Sequence, residues 1–292
     1  MRCGLFGTGP WARATQGPAL VAHPDIELVG VWGRDPARAA ALAGELGARP
    51  YTDVDALTAD VDLIAVALPP DVQAGIAVRA AAAGRHLLLD KPLALTVADA
   101  DAVVAAVERA GVASVVFFTA RFRPAVAAFL RDASGRHWDA ARFAMYGSIF
   151  GPGNPYGGSA WRRAKGGLWD LGPHALGLAL PAFGPVRDVV AVTGRHDTTY
   201  VLVRHESGAV SQLELTVDAP AAYFATWFFG PDGPVDLPDD GTTSVAAFGI
   251  AIDELLATVA SGANEHPCDV RFAREVVAVL ARAESAASAH SG

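Results

Sequence analysis

Cysteine is nearly missing from this chain: Cys3 and Cys268 stand alone among 292 residues. Two thiols so far apart form neither a zinc-type spacing nor a disulfide framework, which leaves core thiols of a reducing compartment as the simplest reading. Basic blocks are missing too. With 23 Lys+Arg against 31 Asp+Glu, a net charge of −8 and a pI near 5.4, neither nucleic acid nor an anionic membrane surface is an expected partner, and any anion site has to be local. The start of the chain shows no leader pattern, because Arg2 runs directly into the strand-like Cys3–Phe6. No stretch approaches the ~18 consecutive apolar residues of a membrane span. The histidines outside one motif discussed below are scattered, without ligand spacing, so no metal is expected. No internal repeat is visible. These absences point to a cytoplasmic protein whose partner is a small molecule.

What is present is apolar and periodic. Hydrophobic residues make up 52% of the chain, and the length suggests two domains of roughly 150 residues. Over the first 120 residues short apolar runs (Cys3–Phe6, Ile26–Trp32, Val61–Leu68, Leu87–Leu89, Ser114–Thr119) alternate with helical stretches (Trp11–Ala22, Pro36–Leu46, Val72–Ala83, Val97–Ala110). That alternation predicts an α/β fold with a doubly wound parallel sheet. After residue 120 the pattern changes. A helix at Phe122–Arg131 and a strand at Ala141–Phe150 precede a Gly/Pro/Asn-rich loop at Gly151–Gly158 and a helix at Trp169–Ala182. Strand-like runs follow at Val186–Val192, Thr199–His205, Val210–Val217 and Tyr223–Phe229, then helices near Val245–Ala260 and Val270–Ser288. The expected organisation is therefore residues 1–120 as a nucleotide-binding domain and 121–292 as an α+β substrate domain with a mostly antiparallel sheet. Nothing in the sequence covers the second face of that sheet, so it is either a homo-oligomer interface or solvated.

Chemistry concentrates at strand ends. Gly7-Thr8-Gly9-Pro10-Trp11-Ala12 matches G-x-G-x-x-A between the first strand and its helix, the context that a dinucleotide fingerprint requires. Gly7 permits the tight turn, Gly9 lets the backbone approach a pyrophosphate, and Ala12 allows close helix packing. The second strand ends in Gly33-Arg34 rather than the carboxylate that holds the ribose hydroxyl of NAD. Gly33 removes bulk, Arg34 offers a planar cation to a phosphate, and Arg38 lies one turn on. NADP is therefore favoured, with NAD as the alternative. Asp35 is better explained as the N-cap of the helix that Pro36 begins. Leu68-Pro69-Pro70, at the end of the third long apolar run, is a further candidate for cofactor contact.

Asp90-Lys91-Pro92 closes the apolar run Leu87–Leu89 and puts charge at the sheet edge where ligands bind in open α/β sheets. A second constellation reads Gly166-Gly167-Leu168-Trp169-Asp170-Leu171-Gly172-Pro173-His174. Paired glycines permit close backbone approach or an unusual φ. Asp170 and His174, four apart, share one face of a helix, where a carboxylate can orient an imidazole for proton transfer. Pro173 implies a helix start or an irregular turn nearby. An ordinary polar pair on a helix surface is the competing explanation.

Taken in order, the Gly7–Ala12 turn, Asp90-Lys91-Pro92 and the Gly166-Gly167…Asp170…His174 segment resemble the Gfo/Idh/MocA oxidoreductases, relatives of glucose–fructose oxidoreductase and inositol dehydrogenase, over essentially the whole chain. The resemblance implies a Rossmann domain, a second domain with a large mostly antiparallel sheet through which members commonly form dimers or tetramers, and NAD(P)-linked oxidation or reduction of sugars, cyclitols or related carbonyl compounds. It implies that His174 exchanges the hydroxyl proton, Lys91 hydrogen-bonds the reacting oxygen, and Asp170 positions substrate and imidazole. A cis Lys91–Pro92 bond would turn Lys91 into the cleft. By position, Arg121, Tyr156, Trp161 and Arg162 are further candidates for substrate contact. The chain departs from the family pattern at Asp90, where Glu is usual, at Gln73, where a histidine is common, and at Gly177, where an Asp often follows. Two other functions fit the same motifs: a dinucleotide-sensing regulator without chemistry, and an imine or enone reductase.

Overall fold

The computed structural model describes residues 1–133 and 135–289. Six strands, β1 (Arg2–Phe6), β2 (Glu27–Trp32), β3 (Arg49–Tyr51), β4 (Leu63–Val66), β5 (His86–Asp90) and β6 (Ser114–Phe117), pair in parallel in the order β3-β2-β1-β4-β5-β6. Helices α1 (Gly17–Ala22), α2 (Pro36–Leu46), α3 (Val54–Ala59), α4 (Pro70–Ala82) and α5 (Val97–Ala110) connect them. Sheet order reverses between β1 and β4, so the glycine-rich turn leaves β1 at the topological switch point. Strands buried on both faces need apolar residues throughout, and β4 and β6 are buried along their whole length.

Local chemistry explains most element ends. Asp35 accepts from the N–H groups of Ala37 (2.9 Å) and Arg38 (3.2 Å), and Gly47 closes α2 at φ 68°. Thr96 caps α5 through the Asp99 N–H at 3.1 Å. The helix expected from Trp11 does form, but its first stretch, Ala12–Gln16, is π-helical, with the Gly17 N–H reaching Ala12 O. Pro18 accounts for this: it has no N–H for the Ala14 carbonyl, and its ring would collide there in a regular α turn. β3 and α3, three and six residues long, lie below the length at which periodicity is legible.

The second sheet is built from β7 (Ala140–Ser148), β8 (Val186–Thr193), β9 (Thr199–His205), β10 (Val210–Thr216), β11 (Asp218–Gly230) and β12 (Gly233–Asp236). Its order is β12-β11-β7-β10-β9-β8; β7 and β10 run parallel and every other pair is antiparallel. β7 thus separates β10 from β11, which are consecutive in sequence. The inner face packs on α6 (Pro124–Ala133) and α7 (Ala160–Phe183), with fully buried Phe228 ringed by Phe129 (4.9 Å), Trp138 (5.6 Å), Phe183 (5.7 Å) and Phe143 (5.9 Å). The outer face stays open: Val190, Val192, Tyr200, Leu202, Tyr223 and Phe229 are all exposed.

Two helices complete the chain, α8 (Ser244–Ser261) and α9 (Val270–Ala289). The chain divides into two compact units, and the first is discontinuous: Met1–Phe122 with Thr242–Glu275, against Arg123–Gly241 with the chain from Val276 on. A division into 1–120 and 121–292 therefore needs correction at the C-terminal segment. Apolar burial draws that segment to the first unit, with Phe248 edge-on to Phe117 (4.9 Å), Phe272 edge-on to Phe118 (5.3 Å) and the Val116 N–H bonded to Cys268 O (2.7 Å). By length and composition α8 is apolar enough to cross a membrane, with mean hydropathy 1.5 over 18 residues. Yet it carries Asp253 and Glu254, paired with His23 (3.0 Å) and His266 (2.7 Å), and one face of it, Phe248, Ala251, Ile252 and Leu255, is buried.

Candidate functional site

In the first unit the glycine-rich turn is held at both ends of the switch. The Gly7 N–H donates to Trp32 O and the Ala67 N–H to Phe6 O, each at 2.8 Å. Gly7 sits at φ 137°, and a Cβ there would collide with the Ala67 carbonyl, so this glycine belongs to the fold. Gly9 differs: a Cβ built on it meets no heavy atom within 4 Å. The chain does not require glycine at that position, which is the feature expected where backbone meets a bound pyrophosphate. Ala12 is fully buried, while Thr8, Pro10 and Trp11 complete the turn.

Gly33 also has a part that the sequence does not suggest. Its Cβ would lie 2.6 Å from Thr8 Cγ2, so the glycine makes room for Thr8. Arg34 and Arg38 are exposed at the end of β2, and no hydrogen bond or ion pair from their side chains occurs among the described residues. Asp35, the one carboxylate beside them, is engaged by the α2 cap. These residues fit a cofactor with an extra phosphate on its ribose. Leu68 and Pro69 are half-buried and Pro70 is buried at the start of α4.

At the end of β5 the Lys91–Pro92 bond is cis. The Asp90 carboxylate accepts the Lys91 N–H at 2.8 Å. Gln73, fully buried on α4, accepts the Asp90 N–H (2.8 Å) and donates to the carbonyls of Asp90 (2.7 Å), Pro92 (3.2 Å) and Leu93 (3.2 Å). Sequence reasoning registers Gln73 only as a departure from a family pattern. Its role depends on strand lengths that no local motif encodes. Arg121 lies in the turn Thr119–Phe122 of the same unit, its guanidinium 5.3 Å from the Phe272 ring centroid.

The second unit assembles a different cluster on α7. Both expectations for the paired glycines are met, one at each residue. Gly166 breaks the helix at φ 61°, and Gly167 packs so closely on β10 that a Cβ would lie 2.5 Å from the Thr216 N and Cα. The irregularity falls at Gly166, and the helix then runs on through Pro173. Asp170 is 6% exposed and His174 half-buried, one turn apart. Arg162 Nε donates to Asp170 Oδ2 at 2.9 Å. Eight residues of straight helix would separate the two by ~12 Å, so the Gly166 break is what brings them together. The Arg162 guanidinium also lies over the rings of Trp161 (4.6 Å) and Tyr156 (4.9 Å). Four predicted substrate residues, Tyr156, Trp161, Arg162 and Asp170, thus form one cluster.

Sequence reasoning misses Asp197. It and His196 are left-handed without being glycine (φ 50° and 55°), and the Asp197 carboxylate faces Gly166. Partial burial, then the charge of Asp218, push this carboxyl above the usual 3.8. Positive φ at two non-glycine residues leaves no readable mark in sequence. Gly177, the family departure, is buried on α7. Among the described residues no three His, Cys, Asp or Glu side chains form a metal-binding group; His290 lies outside them.

Comparison with known proteins accords with this architecture. Residues 1–118 match the family model described as "Oxidoreductase family, NAD-binding Rossmann fold" (GFO/IDH/MocA), and residues 142–235 match the GFO/IDH/MocA C-terminal domain. D-apiose dehydrogenase of Paraburkholderia graminis is 33% identical over 228 residues, covering 72% of this chain and 59% of that protein. The dTDP-3,4-didehydro-2,6-dideoxy-alpha-D-glucose 3-reductase of Streptomyces antibioticus is 30% identical over 227 residues, covering 73% and 68%. The chain therefore spans about three fifths to two thirds of the length of these relatives. The structure of GenD2 from gentamicin A biosynthesis, in complex with NAD, superposes with a TM-score of 0.87 at 24% identity over 99% of this chain and 94% of that one, a likeness of fold.

Proposed function

The chain belongs to the GFO/IDH/MocA oxidoreductase family, and from that premise we propose that it is an NADP-dependent oxidoreductase acting on a CH–OH or carbonyl group of a sugar, cyclitol or similar small molecule. The observation that carries the reading is the end of β2. Asp35 is engaged in a helix cap, while Arg34 and Arg38 stand exposed with no side-chain partner among the described residues, a pair suited to a ribose phosphate. Gly9, with open space where a Cβ would be, supports binding of a pyrophosphate at the same sheet edge. NADP, when bound, supplies the hydride acceptor or donor.

The chain's own residues do the rest. Lys91 hydrogen-bonds the reacting oxygen and steadies the negative charge that develops on it. His174 takes the hydroxyl proton in oxidation and returns it in reduction. Asp170, steadied by Arg162, holds a substrate hydroxyl, and Tyr156 and Trp161 offer aromatic faces to a sugar ring. The apolar outer face of the second sheet, with Val190 beside Leu202 and Val192 beside Tyr200, is the surface we assign to a second copy of the chain, in a dimer or tetramer. Two buried free thiols suit the cytoplasm.

Fluorescence titration with NADPH and NADH tests the cofactor. NADPH binds more tightly, and Arg34→Ala erases the preference; tighter NADH binding to the unmodified chain refutes it. His174→Ala lowers turnover steeply at nearly constant NADPH affinity, and unchanged turnover removes His174 from the reaction.

A further inference from the structure

β5 outruns one of its neighbours. Its pairing with β4 ends at Leu88 and Ala65, whereas its pairing with β6 continues to Asp90 and Phe117. On the β4 side no strand remains to meet the N–H and C=O of Asp90. Gln73 takes that place: Oε1 accepts the Asp90 N–H at 2.8 Å, and Nε2 donates to Asp90 O at 2.7 Å. A carboxamide edge sets an acceptor and a donor side by side, as a neighbouring strand residue would. The same Nε2 lies 3.2 Å from both Pro92 O and Leu93 O, so carbonyls on either side of Lys91 share its two protons. The Asp90 carboxylate then fixes the Lys91 N–H at 2.8 Å.

We infer that Gln73 and Asp90 are positioning residues for Lys91, a two-part clamp that substitutes for the missing strand and sets where the Lys91 ammonium can reach. The inference rests on the role proposed above for Lys91, and it assigns a physical purpose to two departures from the family pattern at one turn. Glutamine suits the position because its donor and acceptor share one edge and do not titrate. An imidazole's two nitrogens diverge, so it can serve only one partner of Asp90 at a time. Aspartate suits the neighbouring position because it is short enough to close on the next N–H.

Composition makes the test clean. Lys91 and Lys165 are the only lysines in the 292 residues. Reductive ¹³C-methylation of the full chain therefore gives two lysine NMR signals and one from the N-terminus. Lys165, ion-paired with Glu284 at 2.9 Å, serves as an internal control. In Gln73→Leu the Lys91 signal moves to the position of unstructured dimethyl-lysine while the Lys165 signal stays; a general loss of fold moves both. Gln73→Glu restores the native Lys91 signal only at acid pH, where a protonated carboxyl again presents an acceptor and a donor on one edge. With D-xylose and myo-inositol as probes, NADP⁺ reduction followed at 340 nm falls about 10–100-fold in kcat for Gln73→Leu, with NADPH Kd within about twofold of wild type. An unmoved Lys91 signal in Gln73→Leu overturns the clamp. Full turnover in Lys91→Ala, together with a collapsed signal in Gln73→Leu, overturns the role of Lys91 and leaves the clamp standing.

Discussion

Replacing Gly9 by alanine separates a glycine kept for a ligand from one kept for the fold. The added methyl meets no heavy atom within 4 Å, and Gly9 is not among the positive-φ glycines. Folding stability should therefore change by no more than about 0.5 kcal/mol, with a slight gain from the stiffer unfolded chain. Gly7→Ala is the contrast. Its φ of 137° and its collision with the Ala67 carbonyl combine backbone strain with overpacking, each of order 1–3 kcal/mol. Urea unfolding with and without NADPH reads both effects. At a ligand concentration of 100 Kd the wild type gains about 2.7 kcal/mol. If the methyl at Gly9 weakens binding about a hundredfold, the same concentration protects Gly9→Ala by only about 0.4 kcal/mol. A Gly9→Ala protein destabilised by more than about 1.5 kcal/mol, or protected as fully as wild type, refutes the assignment of Gly9 to the cofactor.

Two further outcomes follow from packing and titration. Gly167→Ala forces a methyl against the Thr216 backbone and should cost about 3 kcal/mol, whereas Gly172→Ala meets side-chain ends, Leu280 Cδ2 at 2.6 Å and Leu215 Cδ1 at 3.4 Å, and recovers helix propensity, so it should cost less, about 1 kcal/mol; equal costs by chemical denaturation contradict the close approach of α7 to β10. His205 is 1% exposed, with its ring nitrogens 2.9 Å from Gly184 O and 2.8 Å from Ser211 Oγ, and burial, only partly opposed by the Gly184 bond, lowers its pKa below the ordinary 6.5. The unfolded chain then binds the proton more readily, so this contribution is intact above pH 6.5 and is lost as pH falls from there toward the folded value. His205→Gln should flatten that part of a Tm-against-pH curve, and an unchanged slope counts against a neutral buried His205.

What is legible in the sequence is local. Gly7–Ala12, the Asp35 cap and the five long parallel strands announce themselves within a few residues, because turn chemistry and periodicity act at that range. The paired glycines are legible as a pair of alternatives, and the fold uses both, one at Gly166 and one at Gly167. Gly33 is legible only in part: its smallness also answers to Thr8, a neighbour across the turn between two strands. Thr242–Glu275 reads as part of the wrong unit because its aromatic partners, Phe117 and Phe118, lie more than a hundred residues earlier. Gln73 shows only as a departure from the family pattern, because its role answers to unequal strand lengths, and Asp197 carries no signal, because it answers to a backbone conformation.

The carboxylates sharpen the chemical reading. Four of them lie at or beside the candidate residues; three are already engaged, and the fourth, Asp197, faces Gly166. Asp35 caps α2, Asp90 holds the Lys91 N–H, and Asp170 accepts from Arg162. A carboxylate held by a guanidinium or a backbone N–H is a poor proton acceptor, because taking the proton means giving up a charge-assisted bond. In the proposed reaction the proton falls to His174, an imidazole being the side chain built to exchange protons near neutral pH, and these three engaged carboxylates supply position. Arg162→Met tests that division. With Asp170 no longer held, kcat falls and KM for D-xylose and myo-inositol rises at nearly constant NADPH Kd. Unchanged kcat and KM in Arg162→Met refute the positioning of Asp170 by Arg162.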